Sequence, residues 1–172
     1  MSLRKSEPPA VPVAPQQLAE LIDQHAAALV LLARTRCDSA DDVVQEAFIA
    51  LATEEPPPDE PRAWLFSVVR RRAMSAARAA ARRRKHEASA ATAATAWFHS
   101  SVDSQLDAQM VTDRLVDLGA AEREVVVLRL WGDLTFREIA LVTELSSSTA
   151  QRTYEAAIEQ LRKRLEKPCP TT

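Results

Sequence analysis

Between Arg70 and Lys85 the stretch RRRAMSAARAAARRRK carries seven arginines, one lysine and no acid. Guanidinium groups at this density bind phosphate oxygens and stack on unpaired bases, so the stretch suits nucleic acid. The segment before it is its opposite. From Cys37 to Pro61 there are eight acids (Asp38, Asp41, Asp42, Glu46, Glu54, Glu55, Asp59, Glu60) and no Lys or Arg. Such a block suits a basic protein surface. A third stretch, SSSTAQRTY from Ser146 to Tyr154, carries a single cation, Arg152, and Glu155 follows it. Its hydroxyls, amide and carboxylate are groups that hydrogen-bond base edges. The net charge of −2 averages these blocks away and says little about partners.

Other chemistries find no support. His25, His86 and His99 are scattered without metal-ligand spacing, and Cys37 and Cys169 are too few and too far apart for a disulfide scaffold. There is no Gly-rich phosphate loop and no nucleophile–base motif. No catalytic residue, metal or cofactor is expected, and the chain reads as a non-enzyme. No apolar run approaches a membrane span and no hydrophobic signal core opens the chain, so a soluble, cytoplasmic product is expected.

The elements that must position these stretches are helices. Apolar residues make up 47% of the 172, aromatics only 5%, and glycine occurs twice, at Gly119 and Gly132. Such a chain lacks the turn chemistry for many hairpins and is rich in helix formers. Residues 1–15, with Pro8, Pro9, Pro12 and Pro15, read as a disordered lead-in. A first helix is expected from about Gln16 to Arg36 through Leu18, Leu21, Ile22, Leu29 and Leu32. Ser39 is placed to cap a second, with Asp42 at the reciprocal position, and Val44, Phe48 and Leu51 line its face. Three consecutive prolines in EEPPPDEP stop it. A third helix begins near Pro61, buries Trp64, Leu65, Val68 and Val69, and runs on through the arginines. Together these make a three-helix bundle over 16–87.

A linker over 88–103, poor in long apolar side chains before Trp97 and Phe98, leads to a second unit over 104–166. There a helix ends at Gly119, read as its C′ residue, and a second ends at Gly132. Thr135 and Glu138 form a capping box for a third. A turn near Leu145–Ser146 then opens a long helix whose Ala150, Tyr154, Ile158, Leu161 and Leu165 form an apolar stripe. Two helices joined by a tight turn are a helix-turn-helix. The tail, 167–172, should fray. The fold class is all-α, two small helical bundles joined by a linker.

DDVVQEAFIAL, RAWLFSVVRRRA and REVVVLRLWGDLTFREIALVTELSSSTAQRTYEAAIEQLRKRL together resemble a bacterial sigma factor of the sigma-70 family. The two-domain form resembles the extracytoplasmic-function (ECF) group, and LTFREIA…STAQRTYE is similar to the wording of planctomycete-like members. The resemblance implies a sigma region 2-like bundle and a sigma region 4-like four-helix domain. It implies a promoter-specificity subunit that binds core RNA polymerase, through the beta-prime clamp helices and the beta flap, and recognises −10 and −35 elements of promoter DNA. An anti-sigma factor is a further implied partner; membrane insertion is not.

Residue by residue, the resemblance assigns the polymerase interface to Asp41, Asp42, Gln45, Glu46 and Ile49. It assigns the −10 region to Arg62, Trp64, Arg70, Arg71, Arg72, Arg78 and Arg82, with the loop from Glu54 to Arg62 where a flipped base is held. It assigns the −35 region to Ser147, Ser148, Thr149, Gln151, Arg152 and Glu155, with Arg123, Arg129 and Arg137 as cationic neighbours. Arg71 stands where relatives commonly carry Asn, and Gln151 where many carry Lys, so base-specific roles there stay open. The weak charge of the reading helix fits recognition divided between two tethered modules held by polymerase. Two alternatives share part of the pattern: a stand-alone helix-turn-helix regulator, and an interaction module that binds polymerase or an anti-sigma factor without reading promoters.

Overall fold

The structure is a computed structural model and describes residues 13–87, 115 and 117–165. Expectations for the lead-in, the linker with Trp97 and Phe98, most of the helix before Gly119, and the tail lie outside the described residues. Within them the secondary structure is helical: α1 (Pro15–Arg34), α2 (Ala40–Thr53), α3 (Pro61–Glu87), α4 (Ala120–Leu130), α5 (Phe136–Thr143) and α6 (Ser147–Leu165).

Helices α1, α2 and α3 pack on one another as an N-terminal unit. Pro15 and Pro61 sit in the first turns of α1 and α3, where a missing N–H costs nothing. The core takes Leu29, Leu32 and Ala33 from α1, Val44, Ala47, Phe48 and Leu51 from α2, and Leu65, Phe66, Val69 and Ala73 from α3. Ala73, in the arginine-rich half of α3, is fully buried, so that half has a small core face that its composition conceals. Trp64 is only half-buried, packed against the edge of this core, and Phe66 takes the central place instead.

Helices α4, α5 and α6 form the C-terminal unit. Thr135 caps α5 as expected: its hydroxyl accepts from the Glu138 N–H at 3.3 Å, and Glu138 Oε2 accepts the Thr135 N–H at 2.7 Å. Phe136 and Tyr154 meet edge to face at 5.7 Å between α5 and α6, and Ala150 and Ala157 lie on the buried stripe of α6. Glu144 makes the turn between the two helices in the left-handed region, φ 63°. Ser146 then accepts the Thr149 N–H at 3.1 Å and opens α6.

Two local expectations are corrected. Ser39 stands at the N-terminus of α2 but its side chain makes no cap. Gly119 is not a left-handed C′ residue. It precedes α4 with φ −57°, and its N–H donates to Glu122 Oε2 at 2.9 Å. The two units also touch one another among the described residues. Helix α3 packs on α5 and α1 packs on α4.

Gly132 shows how close that packing is. A Cβ there would lie 2.6 Å from Leu134 Cδ1, 2.7 Å from the Leu128 carbonyl oxygen and 3.1 Å from Phe66 Cε1. Phe66 belongs to the N-terminal unit, so this glycine is required by close approach across the contact as well as within its own turn.

Candidate nucleic-acid interface

The apolar stripe of α6 turns inward and presents the opposite side to solvent. Ser147, Ser148, Gln151, Arg152 and Glu155 are exposed, and Thr149 is half-buried at the edge. The structure therefore brings these six candidates together on one face. They are partly committed to one another: Gln151 Nε2 donates to Glu155 Oε1 at 2.9 Å, and Arg152 Nε reaches the Ser148 carbonyl at 3.3 Å. Such bonds are the exposed, exchangeable kind that a base edge can replace.

The cations expected to support this face fare differently. Arg123 donates from Nε to the Leu115 carbonyl at 2.8 Å and from Nη2 to the Leu118 carbonyl at 3.0 Å, tying the start of α4 to the chain before it. Its burial and the neighbouring Arg36 both lower its pKa. Arg129 donates to the Leu134 carbonyl at 3.0 Å and lies over the Phe136 ring. Arg137 is exposed on α5.

On α3 the arginines divide into two groups. Arg71, Arg78 and Arg82 are exposed and carry no ion pair among the described residues. Arg72 pairs with Glu46 of α2, and Arg62 pairs with Glu138 of α5. Arg70, 12% exposed, donates from Nε to Glu124 Oε1 at 2.9 Å. The other oxygen of Glu124 accepts from Arg36 Nη2 at 2.7 Å. Glu124 lies on α4 and is only 3% exposed, so one buried carboxylate of the C-terminal unit is clasped by two arginines of the N-terminal unit.

These are charge-assisted bonds in a site with little water, where a lost partner leaves an uncompensated charge. Glu138 adds a second clasp. Burial alone would raise its pKa, but bonds from the Thr135 N–H and hydroxyl and from Arg62 outweigh that and leave it lowered. His25 stands near this clasp; burial and then the Arg62 charge lower its pKa, and its ring meets Phe66 edge-on at 6.1 Å.

Sequence reasoning did not single out Glu124 or Phe66. A signal was present: EVVVL, residues 124–128, is buried at every position. A helix apolar all round is covered on all sides, more than the facing helices of one small domain supply. The run therefore announced a second body packed on α4.

The acidic face of α2 presents Asp41, Asp42, Gln45 and Glu46 to solvent, with Ile49 57% exposed among them. Asp41 faces Arg34 at 3.4 Å. Beside them runs an open groove of about 450 Å³ between α1 and α2, walled by Ile22, Val30, Val44, Phe48 and Ile49. Ile22, expected to face the core, lines this groove at 40% exposure instead. No metal site of three or more His, Cys, Asp or Glu exists among the described residues, and no helix there is long and apolar enough to cross a membrane.

A helical unit with one acidic and one basic face, followed by a helix-turn-helix, defines a DNA-directed factor with a separate protein-binding surface. Two family models match it in order: Sigma-70 region 2 over residues 21–83 and Sigma-70, region 4 over residues 114–163. Together the two models span most of the chain, which belongs to the sigma-70 family of sigma factors. Among solved structures it is similar to CnrH in complex with the cytosolic domain of CnrY, at 25% identity over 89% of this chain and 90% of that one, TM-score 0.60. It shares its fold with the sigma factor RpoE in complex with the anti-sigma factor NepR from Bartonella quintana, at 23% identity over 89% and 98%, TM-score 0.67. No curated protein sequence matches the chain.

Proposed function

We propose that the chain directs core RNA polymerase to promoters by dividing the work among three surfaces. The α2 face (Asp41, Asp42, Gln45, Glu46 and Ile49), with the groove beside it, docks on the beta-prime clamp helices. The exposed side of α3, led by Arg71, Arg78 and Arg82, meets the −10 element, joined by Arg62, Arg70 and Arg72 once their present partners are exchanged. The outer face of α6 (Ser147, Ser148, Thr149, Gln151, Arg152 and Glu155) reads the −35 element in the major groove, with Arg137 near the backbone, and the C-terminal unit touches the beta flap. Arg123 serves the fold of that unit. The protein works in the cytoplasm, where its polymerase is.

The observation that supports this most is the contiguous exposed face of α6 on a capped helix-turn-helix, in a chain that also exposes an acidic, apolar-edged helix. The Glu124 clasp adds a condition. Arg70 cannot hold Glu124 and a phosphate with the same donors, so promoter engagement and the contact between units compete. Polymerase binding at α2 would favour the separated form. The solved relatives were captured with an anti-sigma factor or a partner's cytosolic domain. By analogy, the open groove between α1 and α2 suits an amphipathic helix of such an inhibitor.

The test is reconstitution. Purified protein with core polymerase should initiate at a defined promoter, while the protein alone binds that DNA poorly. Tight sequence-specific binding by the isolated chain would instead mark a stand-alone regulator. Core binding with no initiation on any genomic fragment would mark an interaction module.

A further inference from the structure

A cleft on the far side of α3 has no part in the surfaces above. It lies between the α1–α2 turn and the C-terminal half of α3, about 210 Å³, floored by alanines of α3 and lined by Arg34, Arg36, Arg83 and Arg84 against one acid, Asp38. We propose that this cleft binds a phosphate-class oxyanion, and that the anion completes the charge of the contact between the two units.

Three observations carry the proposal. First, Arg83 and Arg84 are exposed and carry no ion pair among the described residues, while Arg36 comes to the cleft from another element. Guanidinium groups converging from two elements match a ligand with several acceptor oxygens better than a two-oxygen carboxylate. Second, Arg36 Nε is buried without a hydrogen-bond partner, although Nη2 of the same side chain holds Glu124 at 2.7 Å. A buried donor left unpaired is costly, so Arg36 gains an acceptor when its side chain turns toward an anion held in the cleft.

Third, the contact carries excess positive charge. The single carboxylate of Glu124 is shared by Arg36 and Arg70. Arg123 lies near enough to Arg36 for that charge to help lower its pKa. A dianion beside Arg36 offsets this repulsion and so strengthens the closed arrangement. The same chemistry is offered by a free phosphate compound and by a nucleic-acid backbone.

Calorimetric titration of the full chain with pyrophosphate, at ionic strength held constant with chloride, decides the matter. One saturable site is expected, with affinity reduced about tenfold or more in the Arg83→Ala/Arg84→Ala double variant, whose side chains are on the surface. Pyrophosphate should also raise the melting temperature of the wild type and leave the double variant unmoved. A duplex of arbitrary sequence identifies the source. Displacement of the duplex by pyrophosphate, with the same loss in the double variant, assigns the cleft to backbone phosphate; independent binding of the two assigns it to a free anion. Heats no larger than the chloride control, or affinity unchanged in the double variant, would overturn the site. Pyrophosphate affinity unchanged in Glu138→Gln, which loosens the contact without touching the cleft, would overturn its link to the contact. None of these results bears on promoter-directed initiation, which has its own test.

Discussion

Helices α3 and α6 are both assigned to DNA, and the fold treats them in opposite ways. Helix α3 carries the charge, yet Arg62, Arg70 and Arg72 are held by carboxylates, two of these from the other unit. Helix α6 carries almost no charge in its reading stretch, yet Ser147, Ser148, Gln151, Arg152 and Glu155 all stand in solvent. Charge in a sequence measures potential for binding phosphate; the neighbours in the fold decide how much of it is available. On the proposed reading the nearly neutral helix is ready and the strongly basic one partly withheld, an arrangement that would restrain binding to the many competing sites of a genome.

The largest way to break this contrast is to remove the acid that withholds Arg70. Glu124→Gln should weaken the contact between units by on the order of 3 kcal/mol, because both arginines lose a buried partner. The expected result is an expanded envelope in X-ray scattering with unchanged helical content, and stronger binding of single-stranded DNA. An unexpanded variant would mean that apolar packing alone holds the units together. Gly132→Ala attacks the same contact by volume. The added methyl meets Leu134, the Leu128 carbonyl and Phe66, and should cost about 1–3 kcal/mol in thermal or denaturant unfolding.

Acid sharpens the contrast through the Glu138 clasp. The pKa of Glu138 is lowered in the fold, so its contribution is present above the ordinary glutamate range and is lost as pH falls through the folded value. Dissociation of α5 from α3 should therefore begin at acidic pH, and Glu138→Gln should remove that pH dependence from the unfolding curve. The smallest effect belongs to the reading unit alone. Glu144 holds a left-handed turn that a side chain disfavours, so Glu144→Gly should raise stability by up to about 1 kcal/mol. The separation between units should not change.

Much of the fold was legible because its signals are local. Proline placement, the Thr135–Glu138 reciprocal cap and the four-residue recurrence of Ala150, Tyr154 and Ile158 each depend on neighbours in sequence. The surfaces of α2 and α6 were legible for the same reason: an apolar stripe defines its own opposite face. What escaped depends on partners far along the chain. Arg70 and Glu124 are 54 positions apart, and nothing in either local pattern marks the pair. Ser39 and Gly119 were misjudged. Ser39 has backbone angles, φ −89° and ψ 45°, outside the extended region from which a serine caps, and a glycine between helices serves the start of one as well as the end of another.

The central claim is that the contact between units withholds arginines of α3 from DNA until polymerase and promoter are engaged. Spin labels at positions 81 and 156, exposed and outside the proposed DNA contacts, in a chain with Cys37 and Cys169 replaced by serine, report the separation of α3 from α6 directly. The account predicts one short distance in the free protein, a longer one in Glu124→Gln, and a longer one again in an initiating complex. A single distance, the same in the free chain and in a complex that is making transcripts, would contradict it.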